Sequence, residues 1–269
     1  MSYRITTDST CDLPEEFYRE RDITFVPLSL EFNGGQYQDG FDEKLTAKTF
    51  YDGLRNGGVA STTQVNPSEF TAFVEPYLAA GEDVLHLAFS SGLSGTYASC
   101  EVAAADLREK YPDRTLIVVD SLAASMGEGL MLYYVDENRK KGLSIEENAQ
   151  WLEENKLHLC HWFTVDDLMF LHRGGRVSKT SAIFGSLLGI KPVMHVDNEG
   201  HLIVMAKARG RNGSLEALVD HMEKTGGPDI KNQMIFISHG DSLELSLIHI
   251  FRAKSTALTW PTPRSTTWI

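Results

Sequence analysis

The sequence has few cysteines and few basic residues, and both shortages exclude classes of protein. Three cysteines are scattered over 269 residues without a C-x-x-C pair. This is typical of free thiols in a reducing compartment, not of a disulfide scaffold. The 25 basic side chains are outnumbered by 37 acidic ones, which gives a net charge of -12. Such a charge disfavours nucleic acid and anionic membranes as partners, so an anionic ligand would need a locally favourable site.

Long apolar segments are also missing. No stretch approaches the ~20 apolar residues that a membrane helix needs, and the first ten residues lack the apolar core of a signal peptide. We therefore expect a cytoplasmic protein without a transmembrane segment. A hydrophobic content of 42% still suffices for one large domain or two compact ones.

Strand-like and helix-like patterns alternate over the first 156 residues. The predicted strands cover 3–7, 23–32, 83–89 and 115–119, and helices are predicted to begin near 14, 45, 66, 96, 123 and 144. This alternation predicts an α/β fold with a doubly wound, mostly parallel sheet that is covered by helices on both faces.

The pattern changes beyond residue 156. Strands predicted over 156–165, 192–196, 201–208 and 234–238, with a helix over 214–224, indicate an α+β domain with antiparallel strands over 157–244. The sequence Asp197-Asn198-Glu199-Gly200 predicts a hairpin turn. Residues 245–269 show neither strand nor helix period, and we expect them to form an anomalous, disordered tail of the kind that a frameshift produces.

Hydroxyl side chains follow several predicted strands at the points where those strands end. They lie in the segments 6–10 and 90–96 and at Ser121, and a further polar loop spans 61–64. In a doubly wound sheet, ligands bind beyond the carboxyl ends of the strands, so we expect these loops to converge. Taken alone, each loop is more simply explained as a helix N-cap.

The loop 90–96 is the most informative of these segments. Gly92 and Gly95 let the backbone approach a ligand closely. The helix predicted after the loop directs free N–H groups toward it, and serine hydroxyls add further donors. The loop therefore predicts an oxyanion site that needs no lysine.

Two catalytic interpretations compete with simple binding. The segment 92–96 resembles a G-x-S-x-G nucleophile elbow around Ser94, but Thr96 replaces the last glycine and no histidine stands out as a partner. A serine hydrolase is the alternative function. No lysine follows the glycines, which argues against a nucleotide-hydrolysing loop. A sugar- or phosphate-binding module with the same kind of sheet is a third possibility.

Two other clusters of side chains are candidate sites. His158 and Cys160 would share one face of a strand while His161 takes the other, so we predict no metal centre and no cofactor. The basic residues around Arg173 and Arg176 form either a solvated surface or a docking site for an acidic partner or a phosphate.

These motifs, taken in order, resemble the DegV family of fatty-acid-binding proteins. The resemblance runs from about residue 3 to about residue 244, although Ser61 stands where members often have lysine. It rests on the segments 6–10 with 12–14, 37–40, 61–64 with 67–68, 90–97, 119–121, 171–178 and 206–209.

The resemblance implies a two-domain α/β protein with a lipid in a tunnel between and within the domains. Domain 1–156 would carry the carboxylate site, and domain 157–244 the tunnel and the surface that docks a partner. The fatty-acid carboxylate would lie near five hydroxyl side chains, and Thr62 and Ser94 are the strongest candidates among them. The five are Thr62, Thr63, Ser90, Ser91 and Ser94.

The resemblance also implies a role without catalysis. Related proteins are the binding subunit of a two-component fatty acid kinase, in which a separate ATP-dependent subunit phosphorylates the bound long-chain fatty acid to an acyl phosphate. Asp39, Arg173 and Arg176 would then lie at the edge that docks the kinase subunit.

The sequence departs from the family at its end. Members continue with helix, strand and a Gly-rich segment containing His-Thr-Gly-Pro-Gly, whose histidine joins the carboxylate network. Residues 245–269 match none of this. This departure affects two features that the resemblance implies: the final strands of the fold and the affinity for the fatty-acid carboxylate.

Overall fold

The computed structural model describes residues 3–41, 44–178 and 189–245. The chain divides into two units, Met1–His158 and Leu159–Ile269. The sequence pattern also predicts an apolar helix over 180–188, and this helix and all but the first residue of the predicted tail lie outside the described residues.

The N-terminal unit alternates strands and helices. Its elements are β1 (Arg4–Asp8), α1 (Glu15–Arg21), β2 (Ile23–Val26), β3 (Ser29–Phe32), β4 (Gly35–Gln38), α2 (Ala47–Arg55), β5 (Ala60–Thr63), α3 (Pro67–Ala79), β6 (Val84–Ala88), α4 (Thr96–Lys110), β7 (Leu116–Asp120), α5 (Ser125–Lys140) and α6 (Ile145–Asn155). The main sheet has the order β2-β1-β6-β7, and each of its pairs is parallel.

Helices cover both faces of the main sheet. His86 on β6 faces α3 and α4, where its ring centroid lies 4.8 Å from that of Phe70 and its Nε2 lies 3.8 Å from the Cys100 Sγ. Burial lowers the pKa of His86 to about 3, so its imidazole is neutral. On the opposite face, the Thr7 hydroxyl lies 3.4 Å from the Glu128 carboxyl of α5. The predicted doubly wound α/β fold is therefore confirmed.

Side-chain caps fix where two of the helices begin. Asn66 and Glu69 form a capping box at the start of α3, and Ser144 and Glu147 form another at α6. Each box satisfies backbone N–H groups that the first helical turn leaves without partners, so both helices begin where the sequence predicts.

The single strand predicted over 23–32 is wrong. The structure has two strands there, which belong to different sheets and are separated by Pro27 and Leu28. Proline has no N–H to offer a sheet. The Leu28 N–H donates to the Ser9 hydroxyl, and the Leu28 carbonyl accepts from the Asp39 N–H. After this break, β3 lies between β4 and β5 in a small antiparallel sheet.

The C-terminal unit has an antiparallel sheet. Its described elements are β8 (Trp162–Phe163), α7 (Leu168–Arg173), β9 (Ile190–Val196), β10 (Leu202–Arg209) and α8 (Gly210–Thr225). The strand order is β10-β9-β8, and the predicted turn over 197–200 joins β9 to β10. Leu215 and Leu218 of α8 pack on Val193 in a buried cluster.

Two predicted strands of this region are wrong. The alternating pattern over 156–165 yields only the two-residue strand β8, because Lys156–His158 forms a 3-10 turn instead. Residues 234–238 form no strand, and Met234 is 37% exposed. An apolar composition alone does not supply a neighbouring strand with which to pair.

The buried carboxylate of Asp136, near the end of α5, is held by three cations. Its Oδ1 lies 2.7 Å from an Arg139 guanidinium nitrogen and its Oδ2 lies 2.7 Å from the Lys140 Nζ, while Arg21 of α1 donates to the same Oδ2. Burial raises the pKa of Asp136, but the hydrogen bonds from these cations outweigh it, and the net pKa is lowered. The network fastens α5 to α1.

We expect Asp136→Ala to lower the unfolding free energy at pH 7 by about 3 kcal/mol, since it leaves the cations without their buried partner. The difference should shrink as the pH falls below about 4, because the wild-type carboxylate, whose folded pKa is lowered, then also loses its charge. Urea unfolding over this pH range measures both effects. Asp106→Ala, an exposed change on α4, is the control, and an equally small loss in both variants would contradict the network's role.

Candidate functional site

The loop between β6 and α4 is joined to both neighbouring strands of the main sheet. The Phe89 N–H donates to the Asp8 Oδ2 at 2.8 Å, and Asp8 is the last residue of β1. The Ser91 N–H donates to the Asp120 Oδ1 at 3.1 Å, and Asp120 is the last residue of β7. Since β6 lies between β1 and β7, two carboxylates hold its loop from either side.

Ser90 is a fully buried part of this loop. Its N–H donates to the Ala123 carbonyl at 3.1 Å, and its Oγ accepts from the Gly92 N–H at 3.2 Å. Ser91, in contrast, is exposed. The two serines therefore differ: Ser90 shapes the loop from inside, and Ser91 presents its hydroxyl to solvent.

Ser94 stands at the beginning of α4. Its Oγ accepts from the Thr96 N–H at 3.2 Å and lies 2.9 Å from the Thr96 hydroxyl. A serine hydroxyl has two acceptor positions and one hydrogen. When Thr96 donates, both acceptor positions are filled, and the Ser94 hydrogen can be donated to a ligand oxygen. The N-terminus of the 15-residue α4 favours negative charge at the same place.

Thr62 and Thr63 lie in β5 and not in the polar loop that the sequence predicts, because this segment pairs with β3. Both threonines are exposed. Thr62 is paired with Leu30 and Thr63 with Ser29. Successive side chains of a strand point to opposite faces, so Thr62 shares the face of the buried Leu30 and Phe32. Thr63 takes the other face.

Gln64 links the end of β5 to the beginning of α4. Its Nε2 donates to the Ser99 Oγ at 2.9 Å, and its amide lies across Gly95. A Cβ at Gly95 would come within 2.1 Å of the Gln64 Oε1. The structure therefore brings the 61–64 segment beside the loop that contains Ser94, as the sequence predicts, although Gln64 itself was not predicted as a site residue.

An acidic cluster at the end of β1 was missed at the level of sequence. The Thr10 hydroxyl lies 2.6 Å from the Asp8 Oδ1 and 2.7 Å from the Glu128 Oε2. Asp8 and Glu128 are fully buried, and burial raises the pKa of both carboxyls, that of Glu128 well above its ordinary value. A glycine within the helical pattern, Gly129, is a signal that the sequence offers, since a Cβ at this position would come within 2.9 Å of the Cys11 carbonyl.

Asp39, predicted to lie at a docking edge, is half-buried at the border of this acidic cluster. Its Oδ2 accepts from the Ser9 hydroxyl at 2.7 Å. Burial raises the pKa of Asp39 as well. Its carboxyl is therefore engaged within the N-terminal unit.

Arg173 and Arg176, the other two residues predicted to dock a partner, lie at the end of α7 and just beyond it in the C-terminal unit. Both are exposed. The Arg173 guanidinium lies 4.5 Å from the centroid of the Phe170 ring, which is 50% exposed. Arg176 donates to the Gly174 carbonyl. The pair of Arg173 and Phe170 presents charge and aromatic surface together.

The described part of the chain contains neither a metal-binding cluster nor a membrane-spanning helix. Within residues 3–41, 44–178 and 189–245, no group of three acidic, histidine or cysteine side chains is arranged to hold a metal ion. Over the same residues, no helix has both the length and the apolar character that crossing a membrane requires.

Comparisons with known proteins agree on one family. A family model described as "Uncharacterised protein, DegV family" matches residues 2–253. A DegV domain-containing protein of Clostridium perfringens is 46% identical over 241 residues, which cover 89% of this chain and 82% of that protein.

Solved structures agree with this assignment. A DegV family protein from Thermus thermophilus, described as binding fatty acid, is 31% identical, with a TM-score of 0.73 over 85% of this chain and 79% of that one. A stearic acid-binding protein from Eubacterium ventriosum is 26% identical, with a TM-score of 0.83 over 96% of this chain and 88% of that one.

We expect Gly95→Ala to displace the Gln64 side chain, because the new methyl group would overlap the Gln64 Oε1. The unfolding free energy should fall by only about 1 kcal/mol, roughly the net worth of the lost hydrogen bond to Ser99. Crystallography or amide NMR of the variant would show Gln64 detached. Gly213→Ala in α8, where the nearest side chain is 3.7 Å away, should be neutral or slightly stabilising. An unmoved Gln64 would show that the described approach is wrong.

Proposed function

The chain belongs to the DegV family, and on this basis we propose that it binds a long-chain fatty acid and presents the carboxylate to a separate ATP-dependent kinase subunit. The kinase subunit would convert the bound acid into an acyl phosphate. The chain itself would be a non-catalytic carrier in the cytoplasm, with no cofactor. The observation that carries the proposal is the loop after β6, whose hydroxyls stand at the N-terminus of α4 beside the end of β5.

We assign side chains to the carboxylate, and the geometry of the loop after β6 and of β5 supports this assignment. Ser94 can donate its hydrogen while Thr96 fills its acceptor positions, and Thr62 stands on the apolar face of β5. These two would contact the carboxylate directly. Ser91 and Thr63 would line the outer part of the site, and Ser90 would hold the loop in shape.

The acyl chain would supply most of the affinity. Burying a methylene contributes ~0.8 kcal/mol, so about ten methylenes give ~8 kcal/mol before the cost of association. A buried carboxylate is costly unless donors compensate it, which is the task of the hydroxyls. The loop 89–96 contains no basic residue. Neutral donors would leave a carboxylate oxygen free to attack ATP, whereas a bidentate arginine would hold it.

Docking of the kinase subunit is assigned to Arg173, Arg176 and Asp39. An exposed arginine over an exposed aromatic ring is the kind of pair that dominates many protein interfaces. Arg173 and Phe170 form such a pair on α7. Asp39 is half-buried and would contribute through the shape of its loop.

Ser94 is not favoured as a hydrolytic nucleophile. The described hydrogen-bond partner of the Ser94 hydroxyl is Thr96, which cannot act as the base that a serine nucleophile requires. Mass spectrometry of an organic extract of the purified protein separates the functions: a co-purified fatty acid supports the carrier. A phosphorylated or sugar ligand, or ester hydrolysis that vanishes in Ser94→Ala, would overturn it.

We expect Thr62→Val and Ser94→Ala to slow acyl phosphate formation by about 10- to 100-fold, the worth of a hydrogen bond to a charged group. Affinity for the acyl chain should fall less than about threefold, since the chain supplies most of the affinity. Kinase assays and fatty-acid titration measure the two quantities. Thr71→Val, on the exposed side of α3, is the control. If the variants lost fatty-acid binding and acyl phosphate formation to the same extent, the idea that the acyl chain supplies the affinity and the hydroxyls orient the carboxylate would be refuted.

We expect Arg173→Ala to leave the content of bound lipid unchanged and to slow turnover with the kinase subunit by at least about tenfold, because the interface would lose a central arginine. Arg19→Ala, an exposed change on α1, is the matched control. Lipid content is measured by extraction and docking by titration of the two subunits. Arg173→Ala protein that is free of lipid, or that docks normally, would contradict the role.

A further inference from the structure

The Thr10 hydroxyl lies between two carboxyl groups but has only one hydrogen. It is 2.6 Å from the Asp8 Oδ1 and 2.7 Å from the Glu128 Oε2, and both distances are those of hydrogen bonds. Thr10 can donate to one carboxyl only. The other carboxyl must therefore donate to Thr10, and for this it must carry a proton.

The other contacts decide which carboxyl carries the charge. Asp8 accepts from two backbone N–H groups, those of Thr10 at 3.0 Å and Phe89 at 2.8 Å. A carboxylate that accepts backbone N–H bonds is stabilised in its charged form. Glu128 has no backbone donor among the described hydrogen bonds. Its remaining neighbours are the Thr7 hydroxyl, which lies closer to the Leu87 carbonyl, and the Cys11 thiol.

The charge of Asp8 also opposes a charge on Glu128, whereas the Cys11 thiol favours that charge only as a neutral hydrogen-bond donor. In the described part of the chain, the groups that act on it are Asp8 and the Cys11 thiol, with Tyr18 of α1 and Asp12 close to the same cluster. None of these supplies a positive charge. Eight residues further along α5, the equally buried Asp136 is surrounded by three cations. The same helix therefore buries one carboxyl with cations and one without.

We propose that Glu128 is protonated in the folded chain and donates to Thr10. The Thr10 hydrogen is thereby directed to Asp8, and Asp8 in turn fixes the loop after β6 (residues 89–96) at Phe89. Asp8 and Glu128 are thus positioning residues for the fatty-acid carboxylate, and this inference rests on the proposed function. If Glu128 were also charged, its carboxylate would compete with that of Asp8 for the single Thr10 hydrogen, and the two carboxylates would repel each other. The Asp8 bond to Phe89, which directly precedes Ser90, would then weaken.

The first test is the pH dependence of stability. If folded Glu128 keeps its proton above the ordinary glutamate pKa of about 4.3, the folded state binds one more proton than the unfolded state. The unfolding equilibrium constant then rises tenfold for each pH unit, which is about 1.4 kcal/mol. Stability from this group is greatest at low pH and falls as the pH rises. Urea unfolding from about pH 5 to about pH 8 measures the slope.

We expect Glu128→Gln to remove one proton's worth of this slope, since glutamine mimics the protonated acid and does not titrate. Asp136→Asn on the same helix is the control, because the lowered pKa of Asp136 places its effect below this pH range. A slope in Glu128→Gln equal to the wild-type slope would overturn the proposal. If the variant does not fold, infrared spectroscopy of glutamate-labelled wild type decides: it shows or lacks the carbonyl band of a protonated acid at neutral pH.

The second test separates positioning from folding. We expect Asp8→Ala to weaken binding of a fatty acid relative to the fatty alcohol of the same length by about twofold, because only the acid uses the loop after β6, while the acyl chain supplies most of the affinity of both ligands. Glu128→Gln should keep the wild-type acid-to-alcohol ratio at pH 7. Equal weakening of both ligands by Asp8→Ala would refute the positioning role. Wild-type protein that binds neither ligand would instead refute the proposed function, while the pH slope would still test the proton on Glu128.

Discussion

The hydrogen bond from the Phe89 amide to the buried Asp8 carboxylate decides where the loop after β6 lies. Asp8 ends β1, and the corresponding residue of β7, Asp120, holds the same loop through the Ser91 amide. A central strand of a parallel sheet always has two neighbours whose carboxyl ends lie at the same edge. Because each neighbouring strand ends in an aspartate that accepts a hydrogen bond, the loop that carries the serines between β6 and α4 is held on both sides.

The helix α5 buries two carboxyl groups, those of Glu128 and Asp136, and their surroundings compensate the cost of burial in different ways. At Asp136, three cations compensate the charge, and the result is an ionised carboxylate that joins two helices. At Glu128, burial and the nearby charge of Asp8 favour the neutral form, and the hydroxyl and thiol groups that surround the carboxyl carry no positive charge to oppose them. Burial alone penalises the charge in both places. What differs is the set of neighbours, and each set suits its place: a structural joint at one end of the helix, and at the other the edge where the proposed ligand brings its own negative charge.

Much of the fold could be predicted from the sequence, because strand and helix periods and helix caps are local. The parallel sheet, the capping boxes at Asn66 and Ser144 and the turn over 197–200 are all found. The errors concern partners that are distant in the chain. The break at Leu28 depends on Ser9 and Asp39, and β5 is a strand because β3 lies beside it. Two contacts could not be predicted because they join residues distant in the chain. The Phe89 hydrogen bond to Asp8 joins residues 81 positions apart, and the Thr10 contact with Glu128 joins residues 118 positions apart.

The break in the chain at Leu28 has a mechanical consequence. Both backbone polar groups of Leu28 are tied to the neighbourhood of β1, one through the Ser9 hydroxyl and one through the Asp39 amide. Directly afterwards the chain enters β3, whose neighbour β5 carries Thr62. Leu28 therefore acts as a joint between the two sheets of this unit. Hydrogen bonds therefore connect the turn after β1 in two directions: through Leu28 to the start of β3, which pairs with the strand that carries Thr62, and through Asp8 to the loop after β6.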